Sequence, residues 1–301
     1  MASVKNVLAI YYTQSGQLRE IADHLTAPLL KSPDVNLEFY RIETEKPFPF
    51  PWTKQSFFDV FPETFQQIPV ALTKTTDEAN KYDLVLLFYQ VWYLSPSIPI
   101  NSFLKSDFCR SILADTPVVT ISGSRNMWIM AQEKVKVLLH TSNAKLVGNI
   151  ALIDRAPNLI SVITIVDWMF SGIKKKYLGI FPLPGVAHSD IVGAAHFGKI
   201  ILDKLLQNDL NSLQPKLVAS GAVKISSYLV RVDKTGNKIF AKWSNLILNR
   251  PSARKNLLKA FYVYLFLAIW LVSPIVYILH LLLYPLNYRK IKNQSLYYKG
   301  I

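Results

Sequence analysis

Residues 7–18 read Val-Leu-Ala-Ile-Tyr-Tyr-Thr-Gln-Ser-Gly-Gln-Leu, and this order of residue types leaves few folds open. Four apolar residues make a short buried strand. Thr13, Gln14, Ser15 and Gly16 make a small hydroxyl-bearing loop. Leu18, Ile21, Ala22 and Leu25, spaced three and four apart, mark one face of a helix, with His24 off that face. A strand that turns tightly into a helix aims several backbone N–H groups at one point, and the helix N-terminus adds positive potential there. That geometry suits a phosphate. The loop has neither the Lys of a GxxxxGK[ST] nucleotide loop nor the three glycines of a dinucleotide fingerprint.

Four further apolar runs follow the first strand candidate, Asn6–Tyr11. They are Asn36–Arg41, Asp83–Tyr89, Pro117–Ser122 and Leu146–Ile153. Helical spacing falls between them at Gln17–Leu30, weakly at Thr73–Lys81, at Ser97–Ile112 and at Met127–Leu139, and a last amphipathic helix covers Asp190–Gln207. Strands alternating with helices predict a parallel sheet covered on both faces. Five such units suit the flavodoxin-like three-layer α/β sandwich, strand order 2-1-3-4-5, with ligand at the carboxyl ends of the strands. We therefore expect a domain over residues 1–208, a basic connecting region over 209–258 and a membrane segment with a basic tail over 259–301. Tyr228–Val232 and Lys238–Trp243, around Asp233-Lys234-Thr235-Gly236-Asn237, suggest a small hairpin in the connecting region.

Two segments exceed a minimal fold of this kind. Glu43–Thr76 carries Phe48, Phe50, Trp52, Phe57, Phe58, Phe61 and Phe65, and reads equally as a lid or as a loop packed over a sheet edge. Asn158–Val186 runs from an apolar stretch through Lys174-Lys175-Lys176 to a Pro-rich loop, and would cover the site or lie on a membrane.

The Thr13–Leu18 loop resembles the phosphate loop of flavodoxin-like proteins, which hold the terminal phosphate of FMN. The departure is Leu18, where such loops usually end in Thr or Asn. Two more loops follow the appropriate strands. Gln90-Val91-Trp92-Tyr93, leading to Pro96, resembles the loop that lies against the flavin ring in flavodoxin-like NAD(P)H:quinone reductases, and Trp92 and Tyr93 offer flat faces for stacking. Ser122-Gly123-Ser124-Arg125-Asn126 follows the fourth strand; Gly123 permits close backbone approach, and Arg125 and Asn126 offer donors for the flavin's pyrimidine edge or a substrate oxygen. Thr13, Gln14, Ser15, Gly16, Gln17 and Leu18 with those two loops form the expected FMN site. No metal-ligand spacing is evident.

Charge and hydropathy are both concentrated at the C-terminal end. Residues 260–286 contain no formal charge, a run longer than the roughly 20 residues a bilayer crossing needs. From Lys234 to Ile301 there are eleven Lys or Arg and no Asp or Glu, which accounts for most of the net +14. Arg250, Arg254, Lys255 and Lys259 precede the apolar run, and Arg289, Lys290, Lys292 and Lys299 follow it. Cations that bracket an apolar segment suit anionic lipid rather than nucleic acid. Basic flanks on both sides give no orientation, so a span kinked at Pro274 and a re-entrant hairpin both stay open. Met-Ala-Ser-Val-Lys runs directly into the first strand, and the lone Cys109 can form no internal disulfide. The expected location is the cytoplasmic face of an inner membrane.

Thr13–Leu18, Pro49-Phe50-Pro51-Trp52, Ser124-Arg125-Asn126-Met127-Trp128 followed by Ala131-Gln132-Glu133-Lys134, and Leu183-Pro184-Gly185-Val186 together resemble the dialkylresorcinol biosynthesis family, whose members are commonly labelled "dialkylresorcinol condensing enzyme". The resemblance implies a pathway in which a separate ketosynthase joins two β-ketoacyl units into a cyclohexane-1,3-dione. A chain such as this one then acts as the aromatase that oxidises the ring to a resorcinol. The residues favour the second role: a ketosynthase needs an activated Cys with basic partners, and Cys109 reads as a packed thiol. Implied partners are the lipid-like cyclohexanedione, the ketosynthase and acyl carrier protein of the same pathway, the membrane and a second copy of the chain. Arg125 is the expected stabiliser of the enolate and His188 the candidate base, with Asp190 beside it as a base or helix cap. Asp154-Arg155 reads as an ion pair. The alternatives are a membrane-attached NAD(P)H:quinone oxidoreductase and a non-catalytic scaffold or electron carrier.

Overall fold

In a computed structural model that describes residues 4–73 and 80–301, the chain folds around a parallel sheet. The strands are β1 (Lys5–Tyr11), β2 (Val35–Arg41), β3 (Leu84–Trp92), β4 (Ser95–Pro96), β5 (Pro117–Ser124) and β6 (Lys145–Ile153). The order is β2-β1-β3-β5-β6, and the two-residue β4 pairs antiparallel with the end of β3. The five long strands thus take the expected 2-1-3-4-5 arrangement; β4 is a sixth strand that the sequence does not announce. Strands β1, β3 and β5 are buried on both faces, which is why their sequences are nearly unbroken apolar runs.

The early helices are α1 (Gln17–Leu30), α2 (Lys54–Asp59), α3 (Phe61–Phe65), α4 (Ile98–Leu104), α5 (Asp107–Leu113), α6 (Ile129–Thr141) and α7 (Asn158–Ser171). Next come α8 (His188–Leu206), α9 (Leu213–Ala219) and α10 (Ser227–Leu248), then α11 (Arg254–Leu267), α12 (Ser273–Leu282) and α13 (Tyr284–Lys299). A short π-helical stretch, Ala268–Val272, joins α11 to α12. Helices α1, α8 and α9 close one face of the sheet through Leu18, Ile21, Leu25, Ile191, Ala194, Ile201 and Leu217. Helices α4, α5 and α6 close the other through Phe103, Cys109, Ile112, Val135 and Leu138. This is the expected three-layer sandwich.

Three expectations need correction. The helix read over Ser97–Ile112 is two helices, because Ser106 breaks it and caps α5, its Oγ accepting from the Cys109 N–H at 3.1 Å. The hairpin read around Asp233–Asn237 is the middle of α10. Val230, Asp233, Phe240, Ser244 and Ile247 are buried there at helical spacing, and that buried face overrides the local turn signal of Gly236 and Asn237. Arg155 does not pair with Asp154; it reaches Asp190 at 2.6 Å, while Asp154 accepts from Ser161 Oγ at 2.7 Å. Most of the weak helix read at Thr73–Lys81 lies outside the described residues.

The aromatic segment after β2 is packed and forms a wall of the site. Phe61 and Phe65 of α3 join Phe240 and Ile247 of α10 and Leu258 and Phe261 of α11 in a third apolar cluster. The Phe61 and Phe261 rings stack at 3.8 Å.

Candidate functional site

Three loops meet at the carboxyl ends of β1, β3 and β5, which are adjacent in the sheet. Their register sets Tyr11 beside Phe88 and Gln90 beside Gly123. The first loop enters α1 through Gly16, which caps the helix with φ 87°. Backbone of that hand favours glycine. The N–H groups of the first helical turn, at Gln17, Leu18 and Arg19, have no carbonyl within the helix to bond. The loop is braced from outside: Gln14 Nε2 donates to the Pro49 carbonyl at 2.7 Å, and Gln17 both accepts from the Val186 N–H at 3.0 Å and donates to its carbonyl at 3.2 Å. Ser15 sits half-buried at the tip.

The departure at Leu18 has a packing reason. Its side chain is buried in the core, and a Cβ on Gly123 would lie 2.9 Å from its Cδ1. Leu18 therefore offers the site its backbone N–H and not a side chain. Gly123 is required for packing between β5 and α1 as much as for approach by a ligand.

The second loop is a two-residue turn between β3 and β4. Tyr93 and Leu94 both have positive φ, 47° and 59°. Neither is glycine or asparagine, so the turn holds backbone strain of about 1–3 kcal/mol per residue. Surrounding packing enforces it. The Tyr93 hydroxyl donates to the Phe57 carbonyl at 2.6 Å, and Leu94 packs in the third cluster. Burial pushes the Tyr93 phenol well above its ordinary range. Trp92 meets Tyr12, Phe48 and Trp52 edge-on.

The third loop carries Arg125. Its guanidinium donates to Asn158 at the start of α7, to Oδ1 at 2.7 Å and to the carbonyl at 3.2 Å. No carboxylate lies within ion-pair distance among the described residues. Burial lowers its pKa to about 10, and Asp154 and Asp233 act in the opposite direction, so it is cationic at neutral pH.

Five of the expected FMN residues show what these loops lack. Thr13 Oγ1, Gln90 Nε2, Ser122 Oγ, Ser124 Oγ and Asn126 Oδ1 are buried and have no hydrogen-bond partner among the described residues. Buried polar atoms are nearly always satisfied. Five orphans lie in the three converging loops; Asn101 and Asn149 carry further orphaned atoms away from them. A hydroxyl near the helix N-terminus would suit a phosphate, and the amides and hydroxyls of the other two loops would suit the edge of a flavin ring.

Beside these loops is a cavity of about 920 Å³. Gln14, Val91, Trp92, Tyr93 and Arg125 line its inner end. Trp52, Phe57 and Phe58 form one wall, and Val162, Ile165, Val166 and Phe170 of α7 form another. Tyr262, Leu265, Phe266, Ile269 and Trp270 of the apolar C-terminal helix close it. His188 is not among the lining residues. Its ring is exposed and stands 3.3 Å from Glu20 Oε1, and Asp190 is engaged with Arg155.

Two charged residues near the site have no role read from the sequence, although Lys134 lies in the Ala131-Gln132-Glu133-Lys134 stretch. Asp233 of α10 is fully buried and accepts from the Met130 N–H at 3.2 Å at the start of α6. Burial raises its pKa to about 7. Lys134 of α6 ties the β3–β4 turn to α3, donating to Ser95 Oγ at 2.6 Å and to the Phe65 carbonyl at 3.1 Å. Burial lowers its pKa to about 8. The signal for Asp233 was its place in the 230-233-240-244-247 helical series, which the apparent turn obscured.

No family model matches this sequence, and no curated protein matches it significantly. Among solved structures the chain is similar to a flavoprotein of Lactobacillus acidophilus NCFM in complex with FMN, at 18% identity over 49% of this chain and 93% of that one, with a TM-score of 0.39. It is also similar to a flavodoxin, WrbA-like protein of Agrobacterium tumefaciens, at 10% identity over 67% of this chain and 98% of that one, TM-score 0.35.

Proposed function

We propose that the chain is an FMN-dependent oxidoreductase acting on a lipid-like ring substrate, in the manner of the aromatase step that its resemblance to the dialkylresorcinol family implies. One observation carries the reading: a single large cavity has the FMN-type loops and Arg125 at its inner end and apolar helix residues around the rest. A cyclohexane-1,3-dione bearing two long chains has the same division, a polar ring and apolar tails.

Oxidation of such a ring to a resorcinol removes two hydrogens, one as hydride and one as a proton. Oxidised FMN would supply the hydride acceptor. The chain's own residues do the rest. The proton between the two carbonyls is acidic, so the ring enters readily as its enolate. Arg125, cationic and without a carboxylate partner among the described residues, binds and orients that oxygen. Apolar side chains from α2, α7 and α11 exclude water from the ring. This scheme asks little of a protein base, in keeping with His188 standing away from the cavity.

The test is anaerobic titration of detergent-purified protein. Flavin absorbance that bleaches on addition of a 2,5-dialkylcyclohexane-1,3-dione, with resorcinol formed in equal amount, supports the reading. Bound flavin that bleaches only with NAD(P)H supports the quinone reductase alternative, which uses the same site with electrons flowing inward. Absence of flavin contradicts both.

A further inference from the structure

The helix Pro251–Leu282 is long and apolar enough to cross a membrane, with mean hydropathy 2.3 over an 18-residue window. Its packing argues for another arrangement. Both ends and the middle of the C-terminal helical run are docked on the sheet-bearing body. Near its start, Phe261 stacks on Phe61 and meets Phe240 and Trp243. In the middle, Tyr228 Oη donates to the Ser273 carbonyl at 2.9 Å, and Ser227 Oγ lies 3.1 Å from His280 Nε2. Beyond it, Gln214 Nε2 donates to the Lys299 carbonyl at 2.7 Å, and Tyr297 Oη donates to Glu133 Oε2 at 2.8 Å.

Helix α10 therefore runs antiparallel beside the apolar stretch from 261 to 280. It carries Arg231, Lys234, Lys238 and Lys242. If the apolar helix crossed a bilayer as packed here, all four cations would enter the hydrocarbon, at about 2.5–3.5 kcal/mol each. The rest of the helix surface is apolar and largely exposed, Phe266, Val272, Leu279 and Leu281 among it, and one regular stripe runs along it opposite α10. Val263, Leu267, Leu271, Ile275, Ile278, Leu282 and Leu286 recur every three or four residues and are exposed, Leu282 at 69% and Leu286 at 84%. The stripe continues at one end into the exposed Lys255 and Lys259, and at the other into Arg289 and Lys290.

We infer that this helix lies in the plane of one leaflet, its stripe sunk in the acyl chains, its terminal cations at the anionic headgroups and α10 on the aqueous side. Such a helix enters the membrane by its apolar face and is held by charge at the surface. The cavity then opens into lipid. Val166 of α7 and Phe266 of α11 both line it and are 41% and 52% exposed, so they mark its mouth. The adjoining loop adds to the same surface: Tyr177 lines the cavity, Lys174–Lys176 precede it, and Ile180 is 79% exposed. A lipid-like substrate would enter sideways from the leaflet.

This inference rests on the membrane attachment expected from the sequence and on the lipid-like substrate of the proposed function, and its test uses neither flavin nor turnover. Single cysteines replace Val263, Leu271 and Leu282 in the full chain and carry a fluorophore; Cys109 is buried and stays unlabelled. The protein is bound to phosphatidylcholine–phosphatidylglycerol vesicles whose lipids bear quenchers at known depths. All three labels at one shallow depth, about 5–10 Å below the headgroups, is the expected result. A span would separate the first and last labels by roughly 28 Å along the bilayer normal and would overturn the inference. Ser252→Cys and Asn293→Cys provide a check that leaves the stripe intact. Both must react with an impermeant maleimide from the side that bears the catalytic domain, and reaction from opposite sides also overturns it. Failure to bind vesicles would refute the attachment while leaving the flavin reading to its own titration.

Discussion

At the residue scale, the proposed FMN site is marked by buried polar atoms that find no partner among the described residues. Thr13 Oγ1 and Ser124 Oγ are the simplest to probe, since each can be removed with little change in shape. Thr13→Val and Ser124→Ala are expected to weaken FMN binding about tenfold each, the value of one hydrogen bond to a polar ligand. Stability of the FMN-free protein should hold or rise, because an unpaired buried group is removed. Fluorescence titration with FMN, alongside thermal unfolding without it, checks both. Arg125→Leu should lower the rate of dione oxidation by about 10²–10³ while flavin stays bound, as expected where a cation stabilises developing negative charge; stopped-flow flavin reduction reads it. Asp233 makes a pH prediction. Its folded pKa, about 7, lies above the ordinary 3.8, so the folded chain holds the proton more tightly than the unfolded chain. Stability from this group is complete below about pH 4 and is lost as pH rises through about 7, by up to about 4 kcal/mol. Lys134 acts at higher pH, since its shift runs from 10.5 down to about 8. Asp233→Asn should therefore flatten the fall in unfolding temperature between pH 5 and 7, leaving the alkaline limb unchanged.

At the element scale, close approach between helices and strands is set by glycines. Gly198 of α8 lies against the Leu25 carbonyl of α1, and a Cβ there would meet that oxygen directly. Gly198→Ala is expected to cost about 3 kcal/mol or more, since two backbones must part. Gly16→Ala meets nothing within 4 Å and costs only its left-handed backbone, about 1–2 kcal/mol. Urea unfolding of the two variants should show that order, and equal losses would contradict the packing described. The same elements show what the sequence made legible. Five parallel strands, the helices that cover them and the three loops at their carboxyl ends were readable, because apolar runs and small-residue loops are local signals. Helix α10 was not: its turn-like Asp233–Asn237 outweighed a buried face that exists only once α3, α6 and α11 are in place. The role of Leu18 was hidden for a similar reason, since its partner Gly123 lies more than a hundred residues away. The cavity was half legible. Its loops could be read, whereas the wall from α11 could not, because an apolar run of that length reads first as a membrane segment.

At the scale of the whole molecule, one apolar cavity connects the FMN-type loops with the exposed apolar surface of the C-terminal helix. Surface attachment rests on the exposed stripe, so Leu271→Glu with Ile275→Glu should release the protein from anionic vesicles in a flotation assay. Neither residue lines the cavity, and flavin content should be unaffected. The measurement that most directly tests the central claim is anaerobic flavin reduction by vesicle-bound protein. A long-chain 2,5-dialkylcyclohexane-1,3-dione is dissolved either in the same vesicles or in a separate vesicle population. We predict that bound flavin bleaches promptly when protein and dione share a membrane, slowly when they do not, with one resorcinol formed per flavin. Protein that carries no flavin, or whose flavin the dione fails to bleach in either arrangement, would contradict the account.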